Sequence, residues 1–221
     1  MKISCIIPTK NEEATIKDVI SGAKKYCDEI IVVDGMSSDR TTEVARLAGA
    51  IVVSDHGRGK GDAMKTGAEV ATGEILVFLD GDGSHNTEDI PELIKPLKDG
   101  VADIVIGSRI RGGSDEAFLN LENVFRMLGG FFLSYLIKKM WKMEITDCLC
   151  GFKAIKKEKF ISLNLERDDF VIEEEIIIKL LKNKGRITEI ASHEFSRQGG
   201  ISKLKTHEGW KFILYFLKSL L

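Results

Sequence analysis

Two aspartates stand one residue apart, Asp80 and Asp82, in the stretch Phe78-Leu79-Asp80-Gly81-Asp82-Gly83-Ser84-His85. They end an apolar run, Glu74 to Leu79, that reads as a buried strand. Two carboxylates at a strand end suit a hard divalent cation. Mg²⁺ or Mn²⁺ takes one or two carboxylates and completes its shell with phosphate oxygens and water. Such an ion would neutralise a diphosphate and help it leave. The plain alternative is a capped turn. Gly81 and Gly83 allow backbone and phosphate to approach closely. The phosphate-loop spacing GxxxxGK[ST] is absent. His56-Gly57-Arg58-Gly59-Lys60-Gly61 places two cations in a glycine loop before a helix, where they either assist a diphosphate or simply lead into the helix.

The elements around these residues alternate. Strands are expected at Lys2–Ile7, Glu29–Val33, Ala50–Ser54, Glu74–Leu79 and Ala102–Gly107, and helices at Asn11–Lys25, Thr41–Ala48, Lys60–Ala71 and Glu88–Lys98. Asn86 or Thr87 is the expected cap of the last helix. Strands rich in Ile and Val at this spacing imply right-handed βαβ units and a mainly parallel sheet. Ligands on such sheets bind beyond the carboxyl ends of the strands. Three polar clusters fall there: Pro8 to Glu12, Asp34 to Asp39, and Asp80 to Asp82. Beyond residue 110 the character changes. Arg111–Ser114 reads as a loop, Val124–Trp141 as a long apolar helix, Phe152–Ile155 as a strand, Phe170–Leu181 as a helix bearing Glu173, Glu174 and Glu175, Ile187–Phe195 as a strand, and Gly209–Leu221 as a final apolar helix.

Bulk properties narrow the class. The 221 residues are 43% hydrophobic and 30% charged, which suits a folded domain. A net charge of −2 gives no case for nucleic acid as a partner. Four cysteines without a CxxC pair argue against a zinc site and fit a reducing compartment. The start has too short an apolar run for a signal peptide, and no stretch reaches the roughly 18 apolar residues of a membrane span.

Seven segments in order carry a resemblance: "IIPTKNEE" (6–13), "IIVVDGMSSDRTTEVA" (30–45), "GRGKGDAMKTGAEVATGEILVFLDGDG" (57–83), "IVIGSR" (104–109), "TDCLCGFKAI" (146–155), "FVIEEE" (170–175) and "SRQGGISKL" (196–204). Together they resemble the inverting GT-A glycosyltransferases, in the branch of dolichyl-phosphate mannose synthase and other polyprenyl-phosphate hexosyltransferases. The resemblance implies an α/β GT-A fold, with a mainly parallel central sheet flanked by helices. It implies one catalytic domain over 1–221, with a nucleotide-sugar-binding half at 1–109 and an acceptor-binding half at 110–221. It also implies residue roles. Pro8, Thr9, Asn11 and Glu12 would line the nucleotide pocket, with Asp34 near the base. Asp80, Gly81 and Asp82 would form the D-x-D, with both acids on Mg²⁺ or Mn²⁺. Arg109, Arg197 and Lys203 would face phosphate. Asp147 and Glu173 would lie in the acceptor half, and Arg126 would hold a lipid phosphate. Asp82, Arg109, Asp147, Glu173 and Arg197 form the implied catalytic set. The chain departs from the family pattern at Gly35, Ser84 and Gly130, so GDP-mannose, UDP-glucose and UDP-N-acetylglucosamine all stay open as donors.

The implied reaction moves a hexose from a nucleotide-sugar to a polyprenyl (dolichyl) phosphate. The two apolar helices, edged by Lys138, Lys139, Lys142, Lys211 and Lys218, are expected to lie in a membrane interface, with the protein peripheral on the cytoplasmic face. The same helices would alternatively complete the core or a dimer contact. Two rival functions stand beside this one. One is a soluble glycosyltransferase acting on a small phosphorylated acceptor such as phosphoglycerate. The other is a nucleotide-sugar-binding protein without turnover.

Overall fold

The computed structural model describes residues 1–116, 121–199 and 206–220. A single seven-stranded sheet runs through it. Its strands are β1 (Ile3–Thr9), β2 (Glu29–Asp34), β3 (Ile51–Ser54), β4 (Ile75–Phe78), β5 (Ile104–Ser108), β6 (Lys153–Lys156) and β7 (Ile187–Ala191), in the order β3-β2-β1-β4-β6-β5-β7. All neighbours pair in parallel except β6, which runs antiparallel to both β4 and β5. The register sets Thr9 beside Asp34 and Ile6 beside Phe78. The first three polar clusters therefore emerge along one sheet edge, and the fold is the α/β arrangement expected of the sequence.

Helices α1 (Ile16–Ala23), α2 (Thr41–Leu47), α3 (Lys60–Val70) and α4 (Ile90–Lys98) alternate with the strands. Their buried faces follow helical spacing: Ile16, Val19, Ile20 and Ala23 in α1, and Ile90, Leu93, Ile94 and Leu97 in α4. Asn86 caps the turn leading into α4, its side chain accepting from the Glu88 amide at 3.2 Å. α3 packs on β1 and β2. Gly67 permits this approach, because a Cβ there would stand 2.4 Å from Ile6.

The second half adds α5 (Arg109–Gly112), α6 (Leu121–Trp141), α7 (Lys157–Ser162), α8 (Ile172–Lys182) and α9 (Trp210–Ser219). Two of these differ from expectation. The stretch expected as a loop at 111–114 begins inside a helical turn, because the Ser108 hydroxyl caps it by accepting from the Arg111 amide at 3.2 Å. Helix α7 was not expected, since it buries only Phe160 and so carries almost no amphipathic signal. α6 buries Leu133, Ser134 and Ile137 and leaves Phe125, Leu128, Phe132 and Tyr135 exposed. α9 buries Phe212 and Phe216, and Phe216 meets Trp141 edge-on at 6.4 Å.

Candidate active site

A cavity of about 580 Å³ opens at the carboxyl ends of β1, β4 and β5. Among the sequence-predicted residues it is lined by Pro8, Thr9, Glu12, Asp80, Gly81, Asp82, Arg109, Arg126, Asp147, Glu173 and Arg197. Asn11 and Asp34 are not among its lining residues. Asn11 sits at positive φ, and its side chain accepts from the Ser38 amide at 2.8 Å. Asp34 is buried; one oxygen accepts from the Ser37 amide at 3.1 Å, and the other finds no hydrogen-bond partner among the described residues. Lys203 lies outside the described residues.

The D-x-D is held by an unbroken set of donors. Asp80 Oδ1 lies 2.6 Å from Lys60 Nζ, and Oδ2 lies 3.2 Å from His85 Nε2. Asp82 Oδ1 accepts from the Ser84 amide at 3.0 Å and its hydroxyl at 2.7 Å, while Oδ2 lies 3.1 Å from Arg197 Nη1. Burial alone would raise the Asp80 pKa, but Lys60 and His85 outweigh it and hold the carboxyl well below its usual range. Burial likewise works against the Lys60 ammonium, and Asp80 and Glu173 overcome it and raise its pKa. Gly151 makes this approach possible, since a Cβ there would stand 2.5 Å from Asp80 and 2.6 Å from Lys60.

The other two acids are also paired. Arg109 forks onto Asp147, Nε to Oδ2 at 2.7 Å and Nη2 to Oδ1 at 2.9 Å, and its Nη1 reaches Glu194 at 3.3 Å. Against the effect of burial, the guanidinium keeps the Asp147 pKa low. Glu173 bridges two ammonium groups: Lys60 at 2.9 Å and the fully buried Lys153. Arg126 reaches the cavity from α6 and pairs with Glu122 at 2.7 Å. Cys148 and Cys150 are buried, and burial pushes the Cys148 thiol up to about 12.

The sequence reading passed over Lys153, His85 and Glu194. A lone lysine inside the apolar stretch Phe152-Lys153-Ala154-Ile155 was the available signal, because a buried ammonium requires a carboxylate partner. His85 stacks on Phe152 with ring centroids 5.2 Å apart. No three of His, Cys, Asp and Glu gather at metal-ligand spacing among the described residues. Asp80 and Asp82 line one cavity, and their carboxylates fit an ion that completes its shell with diphosphate oxygens and water.

The model of glycosyl transferase family 2 matches residues 4–163, and the chain belongs to that family of enzymes. Among curated relatives, glycosyltransferase AglJ of Haloferax volcanii is 34% identical over 202 residues, which are 89% of this chain and 64% of that protein. Dolichol-phosphate mannosyltransferase of Pyrococcus furiosus is 32% identical across 93% of this chain and 60% of its own length. The chain thus spans less than two thirds of both relatives. Glucosyl-3-phosphoglycerate synthase from Mycobacterium tuberculosis, solved with Mn²⁺, UDP and glucosyl-3-phosphoglycerate, superposes with a TM-score of 0.76 at 23% identity, covering 99% of this chain and 79% of that one. The fold is therefore GT-A-like.

Two expectations are corrected. The polyprenyl-phosphate acceptor and the peripheral membrane contact do not stand. The same M. tuberculosis enzyme is solved with phosphoglyceric acid and with glycerol 3-phosphate, both small phosphorylated molecules. Among the described residues, no helix is long and apolar enough to cross a membrane. The physical reason in α6 is its charge and its glycines: Glu122, Arg126, Lys138 and Lys139 interrupt the apolar run, and Gly129-Gly130 divides it. The family is as expected; the dolichyl-phosphate branch within it is not carried over.

Proposed function

We propose that this chain transfers a hexose from a UDP-sugar to a small phosphorylated acceptor, with Mg²⁺ or Mn²⁺ held by Asp80 and Asp82. The observation that carries the reading is the meeting, in one cavity, of the D-x-D with Arg109, Arg126 and Arg197. Two phosphorylated substrates need this balance of carboxylate for metal and guanidinium for phosphate.

When bound, the ion offsets the charge of the departing diphosphate. The chain's own groups do the rest. Thr9, Glu12 and Gly81 shape the donor end. Arg197 faces the diphosphate beside Asp82. Arg109 and Arg126 orient the acceptor phosphate, with Asp147 fixing the Arg109 plane. The acceptor hydroxyl bonds to the anomeric carbon as the bond to the diphosphate breaks, and its proton passes to a cavity carboxylate, Asp147 or Glu173; positioning and charge neutralisation supply the rest.

The test is a binding panel of UDP-glucose, UDP-N-acetylglucosamine and GDP-mannose, each with Mn²⁺ and again with EDTA. Product assays with 3-phosphoglycerate and glycerol 3-phosphate, without detergent, follow. The expected result is Mn²⁺-dependent binding of a UDP-sugar and glycosylated product from one of the acceptors. Binding of a nucleotide-sugar without product from any small phosphorylated acceptor would overturn the acceptor assignment.

A further inference from the structure

All four carboxylate oxygens of Asp80 and Asp82 face protein donors, and those donors are of two kinds. Ser84 and His85 belong to the same loop as the aspartates. The Ser84 amide cannot swing away, and His85 is held against Phe152. Lys60 and Arg197 instead end long, rotatable side chains. Each also has a second carboxylate in reach: Glu173 Oε1 lies 2.9 Å from Lys60 Nζ, and Glu116 Oε1 lies 3.6 Å from Arg197 Nε. Turning off the aspartate leaves neither cation unpaired. The two oxygens that can be freed for a metal, one on each aspartate, are those that Lys60 and Arg197 hold.

We propose that Lys60 and Arg197 are resident stand-ins for the metal, guarding the D-x-D against a bare divalent ion and yielding to an ion that arrives with a diphosphate. The inference rests on the metal-dependent UDP-sugar reading above. A bare ion displaces two cations and leaves them beside a third positive charge. A diphosphate supplies oxygens for both displaced cations and removes that repulsion. Metal and nucleotide therefore bind as a unit, each raising the affinity of the other by the same factor. Lys60 and Arg197 act here as positioning residues, through the aspartates and the diphosphate.

The experiment measures Mn²⁺ affinity by calorimetry or by the free-ion paramagnetic signal, on the whole chain, with and without UDP. In the wild type, UDP is expected to tighten Mn²⁺ binding by about tenfold or more, within the usual range of coupling between sites. Lys60→Met should tighten bare Mn²⁺ by about tenfold and shrink the UDP effect to match. Lys60→Arg should restore wild-type behaviour. Arg197→Met should act in the same direction through Asp82; its side chain is 25% exposed, so it tests the idea without a buried truncation. Unchanged or weaker bare Mn²⁺ binding in both Met variants, beside a coupled wild type, would overturn the stand-in role alone. A wild type that binds Mn²⁺ neither with nor without UDP would overturn the metal reading, and this inference with it.

Discussion

Two acidic runs face the same interior and are handled in opposite ways. In Asp80-Gly81-Asp82 every carboxylate oxygen has a donor, and the loop between them lies open to the cavity. In Glu173-Glu174-Glu175, three consecutive residues of α8 are all buried and have three different fates. Glu173 pairs with two lysines. Glu175 accepts from the Glu166 and Arg167 amides at 3.0 and 2.8 Å and pairs with Lys179 at 2.9 Å. Glu174 has no hydrogen-bond partner at either oxygen among the described residues. The difference lies in what each acid can reach. Strand-end acids meet cations from several elements, whereas consecutive helical residues point about 100° apart and each must find its own surroundings.

The largest expected effect breaks the D-x-D. Asp82→Ala should lower turnover by on the order of 10²–10³-fold, the scale for removing one preorganised electrostatic group, while circular dichroism stays that of the folded chain. Among the described residues its side chain accepts from its own loop and from Arg197, so the change strands the Ser84 amide and should cost about 1–3 kcal/mol without unfolding the chain. Full activity in this variant, with metal still required, would remove Asp82 from the metal site.

The next effect sharpens the contrast through pH. Burial pushes the Glu174 carboxyl up to about 9, only partly offset by Arg167. An unfolded glutamate titrates at about 4.3. Folding therefore takes up a proton at Glu174 between those values, and its penalty on stability grows as pH rises from about 4.3 towards 9. Glu174→Gln stays neutral throughout. At pH 8 it should be more stable than wild type by on the order of a few kcal/mol, since each unit is worth ~1.4 kcal/mol; at pH 4 the two should coincide. Urea melts at both pH values decide it, and an equal gap at each would show that packing rather than ionisation sets the difference. Asp80 and Asp147 work in the reverse sense. Their folded pKa values are lowered, so the stability they contribute is present above the ordinary carboxylate range and is lost as pH falls.

This contrast marks how far the sequence could be read. The alternating strands and helices were legible because Ile and Val runs end in polar clusters at regular spacing, and a parallel sheet brings such ends together. The cavity lining follows from that geometry. The antiparallel β6 was not legible, because Phe152 to Ile155 gives no sign of direction. Nor was the fate of Glu174 and Glu175: Glu173 was expected in the acceptor half, but nothing local separates the surroundings of three consecutive acids, and only the packing of α8 against α3 and α9 puts them inside. The Arg109–Asp147 fork and the Lys153–Glu173 pair join residues 38 and 20 apart in sequence, beyond any local pattern. The acceptor was misjudged for a related reason. The apolar residues of α6 and α9 are visible in the sequence, but their count does not say what meets them.

The smallest effect separates charge from hydrogen bonding in the helical run. Glu175 lies away from the cavity lining and serves the turn before α8. Glu175→Ala strands two backbone amides and should cost about 1–3 kcal/mol. Glu175→Gln keeps an acceptor oxygen for one of the two amides, turns its NH2 towards the other, and loses the attraction of Lys179. That change should cost less than the alanine, because one amide keeps its acceptor, and only the part due to Lys179 should fade in high salt. Both variants should turn over substrate as the wild type does. Equal losses in the two would assign Glu175 to charge balance, in the manner of the D-x-D. The expected inequality makes it a cap for backbone amides, and leaves Asp80 and Asp82 as the acids of this chain whose donors can be exchanged for a ligand.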